Sequence, residues 1–356
     1  MASRCSPVWK SPTLLAPMEG VLGHPVRELL ASYGSPGLVC APFLRITAHA
    51  PSVQWLCSEL RRTRDLPLSM QLLGNHAAHL ALAARVLSDA GADVVDLNLG
   101  CPVRQIARKG VGSGMLGDLD AIYHVVSAMR AACSTTLSVK IRAGIDNSDN
   151  LLSIAKAIEA AGADFLVLHP RTRHEGYSGV ADWSLVRRIK SELTIPVVGN
   201  GDLWYAADAL RLMQSSGADA IMIGRGALRN PFIFRQIEEL RQGQVPFVPN
   251  GHDIVEHIEQ LSATLWVEHE RTRSGSTGSL KRERAQSGPI GSIKEHARWV
   301  LRAAPASVRL VLWDRAKRSA SVSEILEAIR PLRELSTMDL ASDGPLRFEM
   351  TPANPG

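Results

Sequence analysis

Eight short apolar runs recur along the first 230 residues, and most are separated by longer stretches of helical periodicity. They are "LLAPM" (14–18), "GLVCAPFL" (37–44), "LSMQLLG" (68–74), "DVVDLNL" (93–99), "LSVKIR" (137–142), "FLVLHP" (165–170), "PVVGNG" (196–201) and "AIMIGRG" (220–226). The runs are continuously apolar rather than alternating, which is the pattern of parallel strands covered on both faces. The tripeptide Gly-Ala-Asp stands at 91–93, 162–164 and 217–219, each time between a helical run and a strand. Glycine at that place suits a left-handed helix cap, after which the chain turns into the next strand. The pattern predicts an α/β fold, a TIM (β/α)8 barrel over 11–240, followed by a small all-helical domain. An open doubly wound sheet would place a G-x-G-x-x-G turn directly after a strand. "GVGSG" (110–114) follows Cys-Pro and a basic stretch instead, so it is a poor dinucleotide turn.

Past "PFIF" (231–234) the pattern changes. "DIVEHIEQLSATLWVEHE" (253–270) has helical periodicity and opens on a capping-type Asp253. "RSGSTGSLKRERAQSGP" (273–289) reads as a basic loop or link. "IKEHARWVLRAA" and "SVSEILEAIRPL" read as further helices, giving a helical domain over 250–338 and an expected disordered tail over 339–356. Charge separates the two parts. Residues 1–240 carry 24 Lys/Arg against 21 Asp/Glu, whereas residues 271–318 carry 12 against three (Glu283, Glu295, Asp314). Such a local excess suits a polyanionic partner, although a solvated basic helix face would look the same in sequence.

Five scattered cysteines with no CxxC pair argue against a disulfide framework or a zinc site, so no metal is expected. No run approaches the roughly 18 apolar residues of a membrane span. The N-terminus "MASRCSPVWKSP" lacks the apolar core of a signal peptide, which implies a cytoplasmic protein without membrane attachment. Nothing suggests a large apolar interface, and a monomer is expected.

In a barrel the chemistry sits where the strands end, at the C-terminal face. Those ends hold Pro17, Met18 and Glu19 (first), Arg45 (second), Gln71 (third), Asn98 and Cys101 (fourth) and Lys140 and Arg142 (fifth). His169 and Arg171 follow the sixth, Asn200, Gly201 and Asp202 the seventh, and Gly224 and Arg225 the eighth. Each glycine pair alone is a tight turn, but adjacent glycine loops after strands seven and eight favour a phosphate site. Lys140 is a charge on an apolar strand, which is costly unless it is paired. A partner that develops negative charge would account for it, as would a position at the rim. His169 alone reads as a structural histidine, and Gln71 alone says little. Cys101, in "DLNLGCP", is either a filler at a turn or a thiol presented by a strand.

At "APMEGV", "QLLG", "DLNLGCP", "SVKIR", "HPRT", "GNGD" and "IGRGAL" the chain resembles the tRNA-dihydrouridine synthases, flavin enzymes that reduce specific uridines in tRNA. "VLHPRTRHEGYSGVADWSLV" and "IKEHARWVL" look most like the bacterial C-type branch, which modifies position sixteen of the D-loop. The resemblance implies a barrel holding FMN, a helical domain that binds tRNA, and NADPH as reductant. It places FMN contacts at Pro17, Met18, Glu19 and Gln71, with Lys140 and His169 beside the ring and Asn200, Gly201, Asp202, Gly224 and Arg225 at the phosphate. It makes Cys101 the proton donor to C5 of the uracil, with Asn98, Arg171 and Arg45 addressing the substrate. Arg104 stands where the family often has lysine, and 273–289 looks like extra length. Lys294 and Arg298, four apart on one predicted helix, are candidate tRNA contacts. Two other readings share some of these residues: an FMN oxidoreductase of a free pyrimidine, like dihydroorotate dehydrogenase, and a tRNA-binding barrel that does not catalyse.

Overall fold

A computed structural model describes residues 7–46, 49–274, 288–302 and 304–336. Eight parallel strands close in chain order into one barrel: β1 (Thr13–Leu15), β2 (Leu38–Arg45), β3 (Leu68–Leu73), β4 (Val94–Leu99), β5 (Thr136–Arg142), β6 (Phe165–His169), β7 (Val197–Asn200) and β8 (Ala220–Ile223). Every expected strand is present, with ends shifted by up to three residues. The first stops at Leu15, so Pro17 and Met18 sit in the loop beyond it. The connecting helices are α1 (His24–Tyr33), α2 (Val53–Glu59), α3 (Ala77–Asp89), α4 (Arg104–Ala107), α5 (Leu119–Ala132), α6 (Leu151–Ala160), α7 (Trp183–Glu192) and α8 (Ala206–Ser216). "GVGSG" contributes to a short 3-10 turn, Gly112–Gly117, rather than to a dinucleotide loop.

The Gly-Ala-Asp repeat has one physical job three times over. Each glycine takes the left-handed conformation (φ +97°, +97° and +69°). Each aspartate then accepts a hydrogen bond from a backbone N–H near the start of the preceding strand. Asp93 accepts from Leu68 at 2.8 Å, Asp164 from Leu137 at 2.7 Å and Asp219 from Val197 at 2.7 Å. Arg62, Arg130 and Lys190 pair with the same three carboxylates. The repeat therefore ties even strands to the odd ones before them at the N-terminal end of the barrel.

Side chains two apart on a strand share a face. Along the inward faces the chemistry changes with height. Leu14, Leu38, Cys40, Val94, Phe165, Val167, Val198 and Ala220 form an apolar plug, with Trp9 edge-on to Phe165 at 5.2 Å. Further along, Asp96 and then Asn98 follow Val94, His169 follows Val167 and Asn200 follows Val198 on the same faces, and β5 carries Lys140, so polar groups gather towards the C-terminal mouth.

By contact the chain divides into two units, and residues 25–35, 203–210 and 225–356 make up the second. Its helices are α9 (Arg225–Arg229), α10 (Ile233–Arg241), α11 (Gly251–Ser274), α12 (Gly288–Leu301), α13 (Ala306–Arg318) and α14 (Val322–Ile329). Apolar residues at helical spacing, Ile254, Val255 and Ile258 on α11 with Ile293, Ala297 and Val300 on α12, meet Leu312, Ala316, Ile325 and Ile329 in one core. The cap of α11 is Asn250 rather than Asp253: the two exchange backbone-to-side-chain hydrogen bonds of 3.1 and 2.7 Å, a capping box. Among the described residues, α11 reaches Ser274 and α12 starts at Gly288. The rest of the Gly/Ser-rich segment and the tail lie outside the described residues.

One titratable group is locked into this core. His257 on α11 is buried, and its Nδ1 lies 3.2 Å from the Tyr33 hydroxyl. That hydroxyl donates its own proton to Gln260 at 3.0 Å, so His257 must donate from Nδ1. Burial, helped by nearby His296, pushes the His257 pKa down to about 3. The unfolded chain takes up a proton near pH 6.5 that the folded unit refuses, so stability is full above that pH and declines as pH falls towards 3. The decline approaches about 1.4 kcal/mol per pH unit for one group. Thermal midpoints measured between pH 7 and 4 are expected to fall less for His257→Gln than for the wild type.

Candidate active site at the barrel mouth

Cys101 follows β4 and is buried, 9% exposed. Every polar backbone group of the Gly100–Cys101 pair is engaged. The N–H groups of Gly100 and Cys101 both donate to Asn98 Oδ1 at 2.9 Å. Gly100 O accepts from Arg142 Nε at 2.9 Å, and Cys101 O accepts from Ser113 Oγ at 2.6 Å. Arg142 also donates to the carbonyls of Thr172 and Gly176, and its guanidinium lies 5.3 Å from the Tyr177 ring centre. The thiol is thus aimed by backbone clamps on both sides, not by its own packing alone.

Behind the clamp lies a buried relay. Asn98 Nδ2 donates to Gln71 Oε1 at 2.8 Å, Gln71 Nε2 donates to Asp96 Oδ2 at 2.6 Å, and Ser138 Oγ donates to Asp96 Oδ1 at 2.5 Å. The relay follows from register, because Gln71 stands opposite Asp96 and Asp96 opposite Ser138. Burial raises the Asp96 pKa to about 6, although the hydrogen bonds from Gln71 and Ser138 and the charge of Lys140 oppose it. Lys140 stands opposite Asn98 and retains some solvent contact. Burial and Arg142 lower its pKa to about 8, partly offset by Asp96. Its ammonium makes no hydrogen bond or ion pair among the described residues. Burial, reinforced by Glu19, raises the Cys101 pKa, opposed by the Val103 N–H and by Arg45 and Arg142. The thiol is therefore protonated at neutral pH.

On β6 and β7 the expected residues are brought together differently. Arg171, buried, grips Asp202 with two bonds of 3.0 and 2.6 Å and donates to the carbonyls of Ser178 and Gly179. These two residues, expected to serve a base and a phosphate separately, form one ion pair that fixes the loop after β6. His169 Nε2 lies 3.4 Å from Arg171 Nη1. Asn200 donates to the Met222 carbonyl at 2.7 Å. A Cβ on Gly201 would lie 3.0 Å from the His169 ring, and one on Gly224 would lie 3.4 Å from Met18 Sδ.

Pro17 and Met18 are half-buried, while Glu19, Arg45 and Arg104 are exposed. Arg225 opens α9 with its guanidinium 4.9 Å from the Trp204 ring centre. Lys294 and Arg298 lie in the second unit: Lys294 donates to the Lys317 carbonyl, and Arg298 pairs with Glu295 at 3.8 Å. Sequence reasoning does not single out Asp96, Ser138, Ser113 or Tyr177. A signal for Asp96 exists, since an acid on an otherwise apolar strand needs buried donors. Among the described residues no group of three or more His, Cys, Asp or Glu could hold a metal, and no helix is long and apolar enough to cross a membrane.

Asp96→Asn replaces an acceptor of two hydrogen bonds with a group that must turn an N–H towards one donor. Leaving a buried group unmatched costs about 1–3 kcal/mol. A lowered thermal midpoint is expected, with a looser Cys101 read as faster thiol alkylation than in the wild type.

Comparisons with known proteins converge on one family. The family model described as dihydrouridine synthase (Dus) matches residues 14–282. A tRNA-dihydrouridine(16) synthase of Salmonella typhimurium is 41% identical over 237 residues, 63% of this chain and 75% of that protein. A probable tRNA-dihydrouridine synthase of Rhodobacter capsulatus is 35% identical over 259 residues, 70% and 79% of the two chains. Among solved structures, histamine dehydrogenase from Rhizobium sp. 4-9 resembles 71% of this chain with a TM-score of 0.51 at 14% identity, and the match spans 49% of that enzyme. That likeness speaks to the barrel fold alone, and the chain spans about half the length of that enzyme. The ordered strand-end residues and these matches together place the chain in the dihydrouridine synthase family.

Proposed function

We propose that this protein reduces a uridine of tRNA to 5,6-dihydrouridine, with FMN as the resident cofactor, NADPH as the reductant and Cys101 as the proton donor. The observation that carries the reading is a protonated thiol held rigidly by Asn98, Arg142 and Ser113, in a mouth that also offers the uncommitted ammonium of Lys140. The barrel mouth fits FMN. Lys140 offers charge to a ring that becomes electron-rich, the missing side chain of Gly201 avoids crowding the His169 ring, and the small Gly224 lies beside Met18. Pro17, Met18, Glu19, Gln71, Lys140 and His169 are the residues we assign to the flavin ring, and Asn200, Gly201, Asp202, Gly224 and Arg225 to its phosphate end. When bound, FMN supplies the two-electron reduction of the uracil C5–C6 double bond.

The chain's own part is protonation and placement. Reduction at C6 leaves negative charge towards C5 and the O4 carbonyl, and Cys101 delivers its proton to C5. A raised thiol pKa suits an acid and would be wrong for a thiolate nucleophile. Asn98 and Arg171 bear on the uracil chiefly by holding the loops around it, and Arg45 and Arg104 offer exposed charge to the RNA. We assign 11–240 to catalysis and 250–338, with Lys294 and Arg298, to tRNA binding. The name of the 41%-identical relative supports position 16 as the target, which in this reading lies in the D-loop. The protein acts as a cytoplasmic monomer in this reading. Turning a stacked base out of folded tRNA costs a few kcal/mol, which phosphate contacts can offset.

The test is an anaerobic visible spectrum. The flavin band should bleach with NADPH and return on addition of unmodified tRNA, and mass spectrometry of the digested tRNA should locate the dihydrouridine. A band that returns only with a free pyrimidine or a small oxidant would sink the tRNA reading. Absence of flavin after reconstitution with FMN would sink the enzyme reading. Cys101→Ala is expected to keep the flavin and its bleaching by NADPH while product formation falls by on the order of a hundredfold or more.

A further inference from the structure

The helical unit contains arginines that the folding of that unit does not explain. Arg229 ends α9, Arg302 follows α12 and Arg309 lies in α13. Arg229 donates from Nη2 to the Arg302 carbonyl at 3.2 Å, which joins two of the segments, and α13, which carries Arg309, packs against α12. None of the three makes an ion pair among the described residues, although surface arginines elsewhere in the chain commonly do. Two of them rest on aromatic faces instead. Arg229 lies 5.7 Å from the Trp204 ring centre, with Arg225 over the same ring, and Arg302 lies 4.3 Å from the Trp299 ring centre.

The arrangement is poor for stability. Burial lowers the proton affinity of Arg229, and Arg302 and Arg309 lower it further against the pull of Tyr205. Arg302 is lowered by burial and by Arg298 and Arg309, with Glu295 alone opposing. Arg229 Nε is buried with no acceptor among the described residues. Glu295 is itself engaged by Trp299 Nε1 at 2.9 Å and Arg298 at 3.8 Å. Like charges held together with Glu295 as the one opposing acid, two of them set over indole rings, make a preformed receptor for an anion with several oxygens. Local rules of stability are most often broken at functional sites.

We propose that Arg229, Arg302 and Arg309, with Arg229 and Arg302 positioned by Trp204 and Trp299, form a phosphodiester-binding site that takes the sugar-phosphate backbone of the tRNA. Arg302 and Arg309 make the contacts, and Arg229 braces the Arg302 carbonyl. The proposal rests on the tRNA reading above and adds a site distinct from Lys294.

The test measures binding of unmodified tRNA transcript to the full-length protein across a salt series. Removing one phosphate-neutralising side chain should reduce the slope of log affinity against log salt by about 0.7–0.9. Arg302→Gln with Arg309→Gln should therefore lower the slope by about 1–2 and weaken binding about tenfold or more at moderate salt. The lysine pair, Arg302→Lys with Arg309→Lys, should keep most of the slope. An unchanged slope in the glutamine pair overturns the proposal. Should that pair fail to fold, the wild type decides: phenylglyoxal modification of Arg302 and Arg309, mapped by mass spectrometry, should be blocked by saturating tRNA. Equal modification with and without tRNA overturns the site. A wild type that makes dihydrouridine while both tests fail loses only this site, whereas a wild type that makes none sinks the functional reading itself.

Discussion

Asp96 accepts hydrogen bonds from Ser138 and Gln71 inside the barrel, Gln71 accepts from Asn98, and Asn98 holds the N–H groups of Gly100 and Cys101. The rest of the mouth depends on this chain. A buried polar network stabilises one arrangement only when every member is satisfied, and here each link fixes the orientation of the next. With Gln71 Nε2 committed to Asp96, its oxygen must face Asn98; with Asn98 Nδ2 committed to Gln71, its oxygen must face the turn. The direction of the thiol is thus set from the interior of the barrel outward. Arg142 and Ser113 close the turn from the other side.

The same strands serve folding and chemistry at different heights. Their N-terminal halves fill the barrel with apolar side chains, and the Gly-Ala-Asp aspartates tie neighbouring strands at that end. The C-terminal halves carry Asp96, Asn98, Lys140 and His169. The rigid lower layer allows costly groups such as Lys140 to be held at the mouth without a partner. The burial that raises the Cys101 pKa and lowers that of Lys140 comes from this enclosure.

The helical unit shows a similar division. Its core is continuous and apolar, with His257 held neutral inside it. The arginines on α9, after α12 and on α13 add repulsion rather than cohesion, and the indoles under Arg229 and Arg302 hold the charge in place. Stability in this unit comes from apolar spacing, while Arg229, Arg302 and Arg309 make no ion pair among the described residues.

Strand order, the barrel, the cysteine at the end of β4 and the basic C-terminal unit were legible in the sequence, because each rests on local periodicity or on composition within a short window. So was the cap chemistry, with a shift from Asp253 to Asn250 that only backbone geometry resolves. The pairing of Arg171 with Asp202, the Asp96 relay and the clustering of Arg229 with Arg302 were not legible. Each joins residues far apart in the chain, brought together by barrel register or helix packing. The sequence by itself determined which side chains stand at the strand ends and how much charge the helices carry. Tertiary structure decided which of those side chains face one another, and hence which are consumed in holding loops and which remain available, because hydrogen-bond partners and burial are properties of packing rather than of order along the chain.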